Sequence, residues 1–143
     1  MNVIITSKSA LENGGGIYCY GTSPSLMNVI ITNNSANNGG GMYCWTSNPS
    51  LMNVIITNNS ANPASLGGGG IFCYSSSPIL VNVTISGNTS STTAGGMYCT
   101  NGAHPSLVNS ILWDNLPPEI NGSGEGTVTA TYSVVQGGWE GEG

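Results

Sequence analysis

Charge is what this sequence has least of. Of its 143 residues one is basic and six are acidic, so 5% are charged, where a soluble domain usually carries about 25%. With Lys8 as the single cation, no basic patch exists to neutralise phosphates, which excludes nucleic acid as a partner. The same shortage removes a cationic anchor for anionic membranes. Long hydrophobic runs are missing too. Nothing approaches the roughly 20 apolar residues of a spanning helix, so no membrane insertion is expected. The opening MNVIITSKSA lacks the positive and long apolar regions of a signal peptide. Stretches free of helix breakers are equally scarce. The 22 Gly and 7 Pro argue against long helices and exclude an all-helical bundle.

What the chain does have is a repeat. MNVIITSKSALENGGGIYCYGTSPSL, MNVIITNNSANNGGGMYCWTSNPSL, MNVIITNNSANPASLGGGGIFCYSSSPIL and VNVTISGNTSSTTAGGMYCTNGAHPSL align as four copies, and VNSILWDN opens a fifth. The opening Asn recurs after 26, 25, 29 and 27 residues, at Asn2, Asn28, Asn53, Asn82 and Asn109. Periods of this size mark solenoids or arrays. The extra residues of the third copy, Pro63 to Leu66, belong in a loop. Within a copy, apolar residues alternate with period two, as in Leu80-Val81-Asn82-Val83-Thr84-Ile85-Ser86, which argues for short strands and against helical repeats. The expected fold is all-β, a right-handed parallel β-helix of the pectin-lyase-like type, with about five coils of 25 to 29 residues. Each coil buries its apolar side chains only against its neighbours.

The fourth copy sets the register, because Val83 and Ile85 alternate with Thr84 and Ser86. Val29/Ile31 and Val54/Ile56 then point inward, with Leu26, Leu51, Leu80 and Leu107. In the Gly-rich strand Ile17, Met42, Ile71 and Met97 stack inside, and Cys19, Cys44, Cys73 and Cys99 form a second inward column. Asn28, Asn53, Asn82 and Asn109 recur at a bend, where amides can bond to the same amide one coil away and satisfy turn backbone. Asn34, Asn59, Asn88 and Asn115 offer a second ladder.

The pattern NVIITNNSANNGGGMYC resembles the right-handed parallel β-helix repeats of bacterial surface proteins, including the polymorphic outer-membrane type, over residues 1–113. The tail, NSILWDN followed by TYSVVQGGWEGEG, is similar to the last coil of choice-of-anchor Q proteins, in which a sorting domain follows. This likeness implies an extracellular or cell-surface piece of a longer secreted protein. The division expected is 1–113 as β-helix repeats and 114–143 as an irregular acidic C-terminal coil or cap. The charge distribution agrees: Lys8 and Glu12 cancel in the first part, whereas Asp114, Glu119, Glu125, Glu140 and Glu142 supply the net charge of −5.

Chemistry is hard to build from these residues. Equivalent positions of adjacent coils hold the four thiols parallel, which suits stacked free thiols better than disulfide torsions. There is no Cys-x-x-Cys pair and no partnering His for zinc. Glycoside hydrolysis needs two facing carboxylates, and the repeat body offers Glu12 alone. Lyases of the resembled fold hold Ca²⁺ with acidic clusters and use Arg or Lys as base, but Lys8 decorates an end coil. Asp114, Glu119 and Glu125 could hold Ca²⁺ through the 119–126 loop, or form a solvated capping loop. His104 precedes Pro105 in a turn and reads as an exposed loop residue. No metal and no cofactor is expected, and the chain is read as no enzyme.

A surface feature remains. If Ile17 and Cys19 face inward, Tyr18, Tyr43, Phe72 and Tyr98 face outward in one column, beside Tyr20, Trp45 and Tyr74 in another. Stacking between coils, roughly 0.5–1.5 kcal/mol per pair, is a sufficient structural reason. A platform for sugar rings or a partner protein is the functional one. The expected function is a non-enzymatic stalk or adhesin-like binding surface with a glycan or surface protein as partner. The alternatives are the carbohydrate-binding part of a polysaccharide-processing protein and, from the flat Ile30/Thr32, Ile55/Thr57, Thr84/Ser86 face, an ice-binding solenoid. Open coil ends could also associate end to end.

Overall fold

The computed structural model describes residues 3–62 and 66–138. The chain is an all-β, right-handed parallel β-solenoid of about five turns. Three sheets form its walls, and every strand pair within them is parallel. An isoleucine sheet stacks Val3–Thr6, Val29–Thr32, Ile55–Thr57, Thr84–Ser86, Ile111–Trp113 and Val134–Val135. An aromatic sheet stacks Ile17–Tyr20, Met42–Trp45, Ile71–Tyr74, Met97–Thr100 and Ile120–Ser123. A leucine sheet stacks Ser25–Met27, Ser50–Met52, Ile79–Val81, Ser106–Val108 and Thr129–Thr131. A minor sheet of Ser35–Ala36, Ser60–Ala61 and Thr89–Ser90 lines one corner. Of the loop expected at Pro63 to Leu66, residues 63–65 lie outside the described residues, as do Asn2, Glu140 and Glu142, and Leu66 is exposed.

Identical positions superimpose. Ile31 pairs with Ile56 and Ile56 with Ile85; Leu51 pairs with Leu26 and Leu80. These side chains fill the interior, and Ile31, Ile56, Leu80 and Ile85 are fully buried. A one-residue slip would turn each column to solvent, so alternation alone fixes the register. The bend between the leucine and isoleucine sheets is made by Asn28, Asn53, Asn82 and Asn109, all at φ between 49° and 57°. Asn tolerates this left-handed conformation better than most residues. Their exposed amides bond along the stack, Asn53 Nδ2 to Asn28 Oδ1 and Asn82 Nδ2 to Asn53 Oδ1, both at 3.3 Å.

Winding continues past residue 113. Ile120 pairs with Met97, Ala130 with Leu107 and Val135 with Leu112. Residues 114–135 thus supply one more rung to all three walls, although Gly122 takes the place opposite Cys99.

Candidate functional site

The buried polar column is built by the second Asn series. Asn34, Asn59, Asn88 and Asn115 are each no more than 2% exposed. The amide of Asn59 shows the pattern. Its Oδ1 accepts from both the backbone N–H and the Nδ2 of Asn34, at 3.0 Å each. Its Nδ2 donates onward to Asn88 Oδ1 at 2.9 Å and back to the Ile31 carbonyl at 3.0 Å. Asn88 repeats this toward Asn115. The bend Asn28–Asn109 series is solvated, so the satisfaction of turn backbone rests on this inner series instead. Among the described residues no buried side-chain nitrogen or oxygen lacks a partner.

The ladder has polarity, and its two ends differ. At the first coil Lys8 stands at the Asn position and donates its backbone N–H to Asn34 Oδ1 at 3.0 Å; its side chain is exposed. At the last coil the acceptor is a carboxylate. Glu119 Oε1 accepts from the Asn115 backbone N–H at 3.1 Å, and Oε2 accepts from Asn115 Nδ2. Glu119 occupies the register position of Gly96, since Met97 pairs with Ile120. The corresponding Gly41 has no room for a side chain: a Cβ there would lie 3.0 Å from Asn59 Nδ2 of the next coil. In the repeat alignment the next Asn position falls on Gly138. Glycine therefore stands where a fifth Asn would, and Glu119 fills the space its amide leaves. The expectation of a solvated or Ca²⁺-binding acidic loop is corrected for Glu119, which is 6% exposed and spends both oxygens on Asn115. Asp114 and Glu125 are exposed, and among the described residues no group of three or more His, Cys, Asp or Glu could hold a metal ion.

Sequence reasoning missed a second buried ladder. Ser47 and Ser76 are buried; Thr22 N–H donates to Ser47 Oγ and Ser47 N–H to Ser76 Oγ. Each hydroxyl in turn donates to the carbonyl two residues before it, Trp45 or Tyr74. The signal was a recurrent small hydroxyl two residues after each outer aromatic, inconspicuous in so Ser-rich a chain.

Cys19, Cys44, Cys73 and Cys99 pair in register, are buried and are free thiols. Hydrogen bonds to Cys44, then burial, push the Cys19 thiol up; bonds to Cys44 and Cys99, then burial, do the same to Cys73. Cys19 and Cys73 are therefore poor nucleophiles, whereas hydrogen bonds from both hold the Cys44 thiol between them below the usual thiol range, against its burial.

The aromatic wall differs from the expected open platform. Tyr43, Phe72 and Tyr98 point away from the interior yet are 5%, 2% and 4% exposed. They form a second apolar cluster with Ala94, against which Tyr74 packs. The reason lies in the Gly-rich turns, which fold back over the strand they precede. At Gly39, φ is +61° and a Cβ would stand 2.4 Å from the Met42 carbonyl oxygen and 3.0 Å from Tyr43 Cα. Stacking runs along this covered column, with centroids 5.4 Å apart for Tyr18–Tyr43, 4.9 Å for Tyr43–Phe72 and 5.2 Å for Phe72–Tyr98. Burial, then the neighbouring Tyr18 and Tyr74 hydroxyls, push the Tyr43 phenol up to about 12. Exposed rings remain at Tyr18, Tyr20 and Trp45, with Tyr74 half-buried. Tyr20 meets Trp45 edge-on at 84°, and Trp45 meets Tyr74 at 58°, so this strip is ridged, not flat. A depression of about 380 Å³ beside Tyr18 is lined by Ala10, Glu12 and Asn13, with no nucleophile–base pair. His104 is exposed, its Nδ1 2.7 Å from Thr127 Oγ1.

Comparison with known proteins places one of these coils. Residues 53–74 match the Chlamydia polymorphic membrane protein repeat. The matched span runs from the Asn53 bend through Asn59 and the Gly-rich turn to Tyr74, so it contains one rung of the ladder, Asn59, and one of the covered aromatic column, Phe72. No curated protein and no solved structure gives a significant match. No helix among the described residues is long and apolar enough to cross a membrane.

Proposed function

We propose that this chain is a non-catalytic module of a bacterial surface protein: a rigid stalk whose wall carries an adhesin-like binding strip for a glycan or a partner protein. The observation that carries this reading is the unbroken run of buried columns through successive coils, with polar groups consumed in holding the coils together. The match of residues 53–74 to a repeat of polymorphic membrane proteins supports a cell-surface or secreted setting. The exposed aromatics Tyr18, Tyr20 and Trp45, 48%, 62% and 38% exposed, are the part of the aromatic wall that a ligand can reach, and Tyr20 and Trp45 meet at its centre. Tyr43, Phe72 and Tyr98 serve the stack. Tyr20→Ala combined with Trp45→Ala should abolish retention on glycan arrays or on host-cell surfaces while the far-UV spectrum stays that of the parent. A parent chain that is retained on neither, or a double variant that binds as the parent does, would refute the binding strip.

A further inference from the structure

Four Asn-Gly pairs occur in the chain, Asn13-Gly14, Asn38-Gly39, Asn101-Gly102 and Asn121-Gly122. In such a pair the glycine nitrogen can attack the amide carbon of the asparagine before it, because no Cβ hinders the approach. The fold separates the four. Attack needs a glycine nitrogen free of its own hydrogen bond and an Asn side chain able to swing onto it. The first two pairs meet neither condition. Gly14 N–H donates to the Asn38 carbonyl at 3.0 Å, and Gly39 N–H to the Gly67 carbonyl at 3.1 Å. Their side chains are engaged as well: Asn38 Nδ2 donates to Asn13 Oδ1 at 2.8 Å, and Asn38 Oδ1 accepts from the Leu66 N–H at 3.0 Å. Asn121-Gly122 lies inside the strand Ile120–Ser123, paired in register with Met97–Thr100. There Gly122 N–H donates to Asn121 Oδ1 at 2.7 Å, and Asn121 Nδ2 donates to the Thr93 carbonyl at 3.4 Å.

Asn101-Gly102 is the exception. It forms the bend after Met97–Thr100, in line with Gly21, Thr46 and Ser75 of the earlier coils, all at positive φ. Asn101 is exposed, with φ 55° there and 69° at Gly102, and a Cβ on Gly102 would meet nothing within 4 Å. Among the described residues Gly102 N–H has no hydrogen-bond partner. The Asn101 side chain makes one solvent-exposed bond, Nδ2 to Ser75 Oγ.

We infer that Asn101 is a site of spontaneous covalent modification, deamidated through a cyclic imide with Gly102. Gly102 N forms a bond to Asn101 Cγ and gives up its proton, the Cγ–Nδ2 bond breaks, and Nδ2 leaves as ammonia. Water then opens the five-membered imide at one of its two C–N bonds, which leaves an aspartyl or an isoaspartyl residue at position 101. Ring closure is intramolecular, so the bend has only to rotate the two groups together. An exposed bend with a free backbone N–H does so at the low end of local stability. The product carries one negative charge more than the parent's −5, and the donor to Ser75 is lost. In the isoaspartyl form the bend is also longer by one methylene. The new carboxylate stands one residue past the rung of Tyr74 and Thr100, at the edge of the aromatic wall.

Ageing of the folded whole chain in mildly alkaline buffer tests this. Labelling by isoaspartyl methyltransferase counts the isoaspartyl residues, and mass spectrometry of chymotryptic peptides, which separate the four pairs, locates them. Conversion in the 99–107 peptide should run at least about tenfold faster than at Asn13 or Asn38, whose bonds must open first, with Asn121 between. In guanidinium chloride all four pairs should convert at comparable rates. Asn101→Gln keeps an amide but moves its carbonyl one bond away from Gly102, and should remove the label from the folded chain. A folded chain that stays unlabelled at position 101 overturns the proposal. So does earlier conversion at Asn13, Asn38 or Asn121. The same ranking in guanidinium chloride also overturns it, because the preference would then lie in neighbouring residues and not in the fold.

Discussion

In the first coil Ile5, Ile17 and Leu26 are only partly buried, whereas their counterparts one coil on, Ile31, Met42 and Leu51, are at most 1% exposed. At the opposite end Ile120 stays buried at 8%, whereas Ala130 and Val135, the counterparts of Leu26 and Ile5, are partly buried as those are. The apolar columns thus fray at both ends, whereas the polar column is closed at each, by different groups. The first coil meets the Asn ladder with a backbone N–H from Lys8, the last with the side chain of Glu119. An apolar column can be closed only by another layer of apolar atoms, because its energy scales with area removed from water. A hydrogen-bonded column can be closed by one side chain of the right polarity, because its demand is a fixed number of donors and acceptors. The ladder points its donors toward the last coil, so an acceptor-only carboxylate ends it there, and a donor ends it at the first.

The largest difference between coils should appear in the apolar column. Ile56→Ala removes a fully buried side chain with layers on both sides, and a loss of about 3–4 kcal/mol follows from the transfer and cavity terms. Ile5→Ala acts on the same column where one side is already half open, and about 1–2 kcal/mol is expected. Urea unfolding of both variants measures the two losses. Equal losses would show that the first coil is as well covered as the middle one.

The walls, the register and the cysteine column were legible because period two and a 25- to 29-residue repeat leave one arrangement in which apolar residues stack. Asn28 and Asn34 recur with equal regularity, and nothing in the repeat distinguishes the solvated series from the buried one. That difference comes from the bend, which turns Asn28 outward at φ 57° and Asn34 inward. Tyr43 and Phe72 alternate as outward residues, and alternation says which wall they leave by, not that a Gly-rich turn folds over them. Glu119 is read from sequence as one acid in an acidic tail. Its place in the ladder emerges only when the fifth coil is superimposed on the fourth and the carboxylate falls where glycine stands elsewhere.

The polar closure at the last coil is sharpened by Glu119→Ala. Both Asn115 donors then face a cavity without an acceptor, and a loss of about 2–3 kcal/mol is expected. Glu119→Gln keeps one carbonyl oxygen in the slot and should recover more than half of it. Amide hydrogen exchange at Asn115 is the direct readout. Faster exchange in Glu119→Ala than in Glu119→Gln marks the carboxylate as the acceptor, and equal protection in parent and Glu119→Ala would show that something else ends the ladder.

The smallest effect belongs to Lys8→Ala, and its smallness is informative. Lys8 is the residue at the other end of the same ladder, and it is charged like Glu119, but the atom that meets Asn34 is its backbone nitrogen. Alanine retains that nitrogen, and the lost ammonium is exposed, so stability should move by no more than about 0.5 kcal/mol. Replacement by proline removes the N–H itself and leaves Asn34 Oδ1 without its donor. Lys8→Pro should therefore be clearly less stable than Lys8→Ala in urea unfolding. If the alanine variant is the one that loses stability, the side chain rather than the backbone closes the first rung, and the two ends would be alike in kind.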